Sequence, residues 1–312
     1  MAPQNLPFET AVLAYGPEAI ARAAALVGQG LPVAVPTETV YGLAADATDA
    51  EAVARIYEAK GRPGFNPLIV HVANLAAAER IGLFSGPARA AAEAHWPGAL
   101  TLVVPLRDGR GIAPAVTAGL PTIALRCPSG PAMQALLRAC GRPLAAPSAN
   151  ASGGISPTSA EHVLAGLGGR IPLIVDGGPT ALGLESTIVA FDGGAARLLR
   201  PGPVAFEAVH VDLPERIEAP GQLASHYAPA KPLRLDASEA GEDEWLIGFG
   251  TIGGDDTLSA AGDLDEAASR LFAALHRADR AARPRIAVAP IPPEGVGAAI
   301  NDRLRRAAAP RP

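Results

Sequence analysis

Lysine is nearly missing from this chain. Of its 26 basic residues only Lys60 and Lys231 are lysine, so a sequence that meets almost every need for positive charge with arginine has kept a compact ammonium at two places. Cysteine is as scarce: Cys127 and Cys140 supply neither a disulfide framework nor a zinc cage, and both are expected in the core, one ending an apolar run and the other a helix. No apolar run approaches the roughly 20 residues of a membrane span, and the first residues lack a basic stretch followed by an apolar core. No membrane partner is therefore expected, and a reducing cytoplasm is the expected location. An excess of positive charge is missing as well. A net charge of −5 argues against a broad footprint on nucleic acid and leaves only a local basic patch as a route to RNA.

What remains is 312 residues with 49% hydrophobic and 18% charged side chains. That composition folds, and the length exceeds a typical single core of about 100 to 200 residues, so two domains are expected. The stretch around which the chain is organised runs Lys-Gly-Arg-Pro-Gly-Phe-Asn-Pro-Leu-Ile-Val-His-Val from Lys60 to Val72. It follows an amphipathic helix predicted from Asp49 to Ala59 and places two cations, an amide and an imidazole on a Gly/Pro-punctuated loop that runs into a short buried strand, Leu68 to Val72. A point charge at Lys60 beside the planar fork of Arg62 suits phosphate.

Three further stretches have the same construction. A strand from Leu31 to Val35 delivers the loop Pro36 to Leu43, with Thr37, Glu38, Thr39 and Tyr41 at the carboxyl end of the strand, where ligands collect in open α/β sheets. A strand from Pro121 to Cys127 carries Thr122 and Arg126 on one face, and an arginine in an apolar run requires an anionic partner, from a ligand or from the chain. A short strand from Pro143 to Ala146 leads into the small-residue loop Pro147 to Thr158, with Ser148, Asn150 and Ser156, which opens a helix near Thr158. The plain alternatives are a solvated loop at 60–67, turn or cap roles for Thr37 and Thr39, an internal salt bridge at Arg126 and a flexible connector at 147–158. Strands from Ser186 to Phe191 and Ala195 to Arg200 read as a hairpin across Asp192-Gly193-Gly194.

The order of these motifs, with Trp96-Pro97-Gly98, Glu185-Ser186-Thr187 and Leu199-Arg200-Pro201-Gly202, resembles the YrdC-like threonylcarbamoyl-AMP synthases over about 200 residues. The resemblance implies an α/β fold: a twisted, mainly parallel or mixed open sheet around a concave cavity, plus a small Rossmann-like α/β domain at the C-terminus. It implies the reaction of ATP, L-threonine and bicarbonate to threonylcarbamoyl-AMP and pyrophosphate. That is the step before N6-threonylcarbamoyladenosine formation at position 37 of tRNA, with a threonylcarbamoyl transferase complex downstream and direct tRNA contact not required. By the same resemblance Lys60, Arg62, Asn66, Thr122, Ser148, Asn150, Ser156, Arg200 and Tyr227 belong to the nucleotide, with Lys60 and Arg62 as the catalytic cations. Thr37, His71, Arg126, Ala146 and Ser186 belong to threonine. No residue looks like a covalent nucleophile, so positioning and charge neutralisation are expected to carry catalysis, with Mg²⁺ held mainly by the triphosphate.

Past Gly202 the composition turns Pro-rich and polar, and residues 203–232 read as a linker between a catalytic domain at 1–202 and a small domain at 233–312. Its core, His226-Tyr227-Ala228-Pro229, resembles the signature of the two-domain form of the family, which implies that Tyr227 closes over the nucleotide. Two other classes need weighing. A carbamoyl-transfer maturation factor needs zinc-finger cysteine pairs that two isolated cysteines do not supply, and a non-catalytic double-stranded-RNA or tRNA binder sits poorly with the acidic charge.

Overall fold

The structure, a computed structural model, describes residues 8–109, 111–191, 193, 195–211 and 217–310. The chain runs β1 (Ala11–Ala14), α1 (Pro17–Gly28), β2 (Val33–Pro36), β3 (Tyr41–Asp46), α2 (Ala50–Lys60), β4 (Ile69–His71), α3 (Leu75–Glu79), α4 (Gly86–His95), β5 (Leu100–Pro105), α5 (Pro114–Thr117), β6 (Thr122–Arg126), α6 (Pro131–Cys140), β7 (Leu144–Ala145), α7 (Ala160–Leu167), β8 (Leu173–Asp176), β9 (Thr187–Ala190), β10 (Arg197–Arg200) and β11 (Val209–His210). After a polar segment come β12 (Leu233–Arg234), β13 (Glu244–Gly248), β14 (Asp256–Thr257), α8 (Leu264–Arg280), β15 (Arg285–Val288) and α9 (Val296–Ala308).

The first group forms one large sheet in the order β1-β8-β2-β3-β7-β4-β6-β5-β9-β10-β11. It is mixed: β1-β8, β8-β2, β4-β6, β5-β9 and β10-β11 are parallel, and the other neighbours antiparallel. The second group is a four-stranded sheet, β12-β15-β13-β14, parallel throughout, with α8 and α9 packed together beside it. Among the described residues no helix is long and apolar enough to cross a membrane.

Two sequence expectations change. Only residues 37–40 of the stretch read as a loop form the turn; Tyr41 to Leu43 already belong to β3, which pairs antiparallel with β2. Both strands are buried on both faces, so no polar alternation marks them. The short strand β1 was not expected at all and pairs with β8, far along the chain. The predicted hairpin of β9 and β10 is present, although Asp192 and Gly194 of its turn lie outside the described residues. Cys127 is buried and Cys140 half-buried.

Local chemistry explains how α2 aims its C-terminus. Asp49 caps the helix by accepting from Glu51 and Ala52 N–H groups, and Gly61 ends it at φ 59, in the left-handed region where glycine carries no Cβ penalty. Arg62 N–H then reaches back to Tyr57 O at 2.9 Å, which leaves Lys60 as the last helical residue and turns Arg62 inward.

Candidate functional site

Sheet register assembles one half of the site. Parallel pairing sets His71 of β4 beside Arg126 of β6, and antiparallel pairing sets Arg126 beside Thr101 of β5, so the three form a row across the sheet. Ser186, just before β9, closes the row through its hydroxyl, 2.7 Å from Thr101 Oγ1. Thr37, after β2, and Ala146, after β7, face the same cavity. The five residues expected at threonine therefore come together on one cavity wall.

Their bonding adds what the sequence left open. Arg126 has an internal anion, because its Nη2 donates to Glu38 at 2.6 Å while Nη1 donates to Thr39 Oγ1 and Nε to Gly98 O. Two of its five N–H donors remain for a ligand carboxylate. The Thr37 hydroxyl donates to Val40 O at 2.7 Å and so closes its own turn. His71 is buried, and desolvation first, with the charge of Arg126 second, pulls its pKa down to about 3. It is a neutral imidazole at pH 7, suited to orienting a substrate and not to carrying a standing charge.

The other half of the site holds cations with no carboxylate. Lys60 is buried, and its Nζ donates to Ser148 O and Asn150 O, both at 2.6 Å. Burial, then the neighbouring Arg62, holds its pKa well below the ordinary lysine value. Arg62 donates to Asn66 O, Asn66 Oδ1 and Pro67 O, and burial brings its pKa down to about 10. Arg200 donates to Ser186 O and Oγ and to Pro220 O, so the two halves meet at Ser186. Among the described residues none of the three cations has a carboxylate within ion-pair distance, an expensive arrangement unless an anion joins them.

Buried polar atoms lie in and around this half. Asn66 Nδ2 and Asn150 Oδ1 are each buried without a hydrogen-bond partner among the described residues, Tyr227 Oη is buried beside the Arg200 guanidinium, and all three residues were expected at the nucleotide. Arg62, Ser148, Arg200 and Tyr227 line the cavity directly. Lys60 and Asn66 stand behind it through Ser148 and Arg62, and Ser156 stands behind it through Glu185, to which its hydroxyl donates a short hydrogen bond. Asn150 faces a wider groove of about 710 Å³ on the far side of residues 225–228. Thr122 lies apart: it pairs with Pro105 at the opposite end of β6 from Arg126 and does not line the cavity.

The segment read as a linker roofs the cavity. Gly221 has φ 89, and a Cβ there would fall 2.6 Å from Tyr227 Oη and 2.8 Å from Arg200 Cδ, so only glycine lets the backbone come this close. Ala228 pairs with Gly154 as a β-bridge, and Tyr227, at φ 61, stacks on His226 at 4.2 Å and on Phe272 of α8 at 5.7 Å. With the roof in place the space large enough for water is only about 40 Å³, room for roughly three molecules at ~10–15 Å³ each.

Sequence reasoning gave no site role to Thr101, Glu185, His226 or Arg303, and named Glu38 only as part of a ligand-facing loop. Glu38, Glu185 and His226 sit inside motifs quoted above. Arg303 carried a fainter signal: Ala299, Arg303 and Ala307 follow the i, i+4, i+8 spacing of a buried helix face, so this arginine interrupts an apolar stripe. Lys231, the other lysine, caps α8 by donating to Ala278 O and Ala281 O. Among the described residues no cluster of three or more His, Cys, Asp or Glu can hold a metal ion, and Glu185, which lines the cavity, and Glu38, which braces Arg126 behind it, are both committed to arginines.

Two buried histidines, His71 and His226, and two half-buried ones, His162 and His276, set the acid limit of the fold. Desolvation is the first cause at each: His71 and His276 fall to about 3 and His162 to about 4, while His226, also beside Arg62 and Lys60, lies well below its ordinary value. An unfolded histidine takes up its proton near pH 6.5, so below that pH the unfolded chain binds protons that the folded one refuses. Stability is complete above about pH 6.5 and falls as pH drops towards 4. The unfolding free energy should therefore decline steeply between pH 6.5 and 4.5, and His226→Gln should flatten its slope by up to about 1.4 kcal/mol per pH unit, one proton's share. An unchanged slope would remove His226 from this account.

Comparison with known proteins agrees with the geometry. The Sua5/YciO/YrdC family model, described as telomere recombination, matches residues 25–202, and the model of the C-terminal domain of threonylcarbamoyl-AMP synthase matches residues 196–309. The chain is 42% identical to a threonylcarbamoyl-AMP synthase of Bacillus subtilis over 94% of its own length and 93% of the relative's, and 38% identical to one of Pyrococcus abyssi over 91% and 92%. The crystal structure of Pyrococcus abyssi Sua5 complexed with L-threonine superposes with a TM-score of 0.87 at 35% identity, covering 96% of this chain and 97% of that one. The protein belongs to the Sua5/YciO/YrdC family, in the form that carries a C-terminal Sua5 domain.

Proposed function

We propose that the roofed cavity is the active site of an L-threonylcarbamoyladenylate synthase, which joins L-threonine, bicarbonate and ATP and releases pyrophosphate. The observation that carries this reading is a cavity lined on one side by the buried cations Arg62 and Arg200, with Lys60 held behind it at Ser148 O and none of the three in an ion pair among the described residues, and on the other by Thr37, His71, Arg126, Ala146 and Ser186. The synthases among its relatives, and the threonine-bound neighbour, support the same assignment.

In the proposed cycle Arg126, Thr37, Ala146 and Ser186 fix threonine, with the two remaining Arg126 donors on its carboxylate and His71 orienting it. The threonine amine adds to bicarbonate with loss of water to give a carbamate. A carbamate oxygen then attacks the α-phosphorus, the bond to the β-phosphate oxygen breaks, and pyrophosphate leaves. Lys60, Arg62 and Arg200 neutralise the charge that builds on the departing phosphates. Mg²⁺ enters as part of the nucleotide substrate and is held by phosphate oxygens; no step is routed through a protein-held metal. Domains at 1–202 and 233–312 are joined by 203–232, and the nucleotide enters only when that roof lifts, because about 40 Å³ cannot hold it. The product is a labile mixed anhydride that passes to a threonylcarbamoyl transferase acting on tRNA position 37, and a cytoplasmic setting suits that step.

Substrate choice tests the reading. Bicarbonate-dependent pyrophosphate release should be strong with L-threonine, weaker with L-serine and nearly absent with L-valine, which matches threonine in shape but leaves the polar wall unpaired. Equal rates with valine would overturn it. An RNA-binding reading is disfavoured because Lys60, Arg62 and Arg200 are buried beneath the linker and not spread over a face.

A further inference from the structure

The helix α9 sends one residue into the neighbourhood of the nucleotide wall. Arg303 is 0% exposed, and its Nε donates to Glu185 Oε2 at 2.8 Å, its Nη1 to Asp302 Oδ2 at 2.6 Å and its Nη2 to Pro201 O at 3.0 Å. Its guanidinium carbon also lies 5.1 Å from the centroid of the Tyr227 ring, on which Phe272 of the C-terminal unit's core stacks as well. The carboxylate it grips is the one that accepts from Ser156, and burial, which would otherwise raise the pKa of Glu185, is overcome by Arg303 and Arg200. Asp302 continues the chain to Arg306 at 3.0 Å, and Arg306 in turn donates to Leu223 O and accepts from His226 N–H through its backbone.

We propose that Arg303 is a positioning residue of the nucleotide site: it fixes Glu185 and Ser156 on one side and the Tyr227 ring on the other, so the C-terminal unit completes the site rather than merely hanging from it. The inference rests on the synthase reading above. It needs no contact between Arg303 and ATP. The guanidinium acts through Glu185, which orients Ser156, and through Tyr227, whose left-handed backbone and ring packed among His226, Phe272 and Arg303 leave it dependent on its neighbours. Of the threonine half only Ser186, next to Glu185 in the chain and bonded to Arg200, touches this network, while Thr37, His71, Arg126 and Ala146 share no hydrogen bond with it among the described residues, so the two substrates should respond differently to its loss.

Three full-length variants test this. Arg303→Gln leaves Glu185 buried without its direct ion-pair partner, with only the charge of Arg200 nearby; Arg303→Gln combined with Glu185→Gln restores neutrality; Arg303→Lys keeps the charge but loses the fork. Each is measured for the KM of ATP and of threonine, for kcat, and for the shift in melting temperature that ATP alone produces. The neutral pair should melt close to the parent, bind threonine within about threefold, and lose about 10²-fold in kcat/KM for ATP together with most of the ATP-induced shift, since small misplacements cost that much. Arg303→Lys should fold and lose about tenfold for ATP. A purely structural role predicts that ATP and threonine parameters fall together, in step with stability, and recover in the neutral pair; that result, or ATP parameters within about threefold of the parent in either folded variant, overturns the proposal. If the parent itself releases no pyrophosphate with threonine, the synthase reading fails, while the ATP-induced melting shift still decides the role of Arg303.

Discussion

Lys60→Ala is expected to lower threonine- and bicarbonate-dependent pyrophosphate release by about 10²- to 10³-fold, the loss that follows removal of one preorganised charge. The ammonium stands at the end of α2, held by two carbonyls of the 148–150 loop, and its two disfavouring influences, burial and the Arg62 charge, are both offset once phosphate arrives. A group stored in a costly state without ligand and stabilised with it contributes to binding the charge that develops during the reaction. Arg62→Lys should lose about 10²-fold, because an ammonium cannot reach Asn66 O, Asn66 Oδ1 and Pro67 O while also facing phosphate. Threonine affinity should stay within about threefold in both, since the threonine wall is built on other strands. Pyrophosphate release by Lys60→Ala within a few-fold of the parent would remove Lys60 from catalysis.

That expectation was legible because its causes are local. A cap at Asp49, a left-handed glycine at 61 and a lysine between them are consecutive in sequence, and helix termination chemistry converts them into geometry. The arginine in β6 was legible in part: burial demanded an anion, yet its partner, Glu38, lies 88 residues away, a separation that no pattern resolves. Thr122 shows a different limit. Even spacing does place it on one face with Arg126, but a shared face says nothing about depth, and four strand residues carry it to the far end, about 13 Å at ~3.3 Å per residue. Arg303 and Glu185 lie 118 residues apart, and their pairing became visible only once α9 was packed against the Ser186 region. The turn at 37–40 was read too long because β2 and β3 are buried on both faces, which erases the period that announces a strand.

The roof yields the other large effect. Tyr227→Ala in the full-length chain should lower the yield of threonylcarbamoyl-AMP per ATP consumed by about tenfold, with excess ATP hydrolysis and threonine affinity within about threefold of the parent. Tyr227 is 1% exposed and packed among His226, Phe272 and Arg303, so its removal opens the side of the cavity that Arg200 and Ser148 line. Water then reaches a carbamate and an adenylate that react with it, whereas the row of His71, Arg126 and Ser186 is untouched. Substitution within the whole chain is the cleaner experiment, because cutting after Gly202 would also strip β11 from its pairing with β10 and Ala219 from its packing against Leu199 and Ile188. Gly221→Ala should reproduce the defect by a different route: its Cβ collides with Tyr227 Oη and Arg200 Cδ, so the roof is displaced with the ring still present. If both variants form threonylcarbamoyl-AMP at the parent rate without surplus hydrolysis, residues 219–228 tether two units and do not close the site.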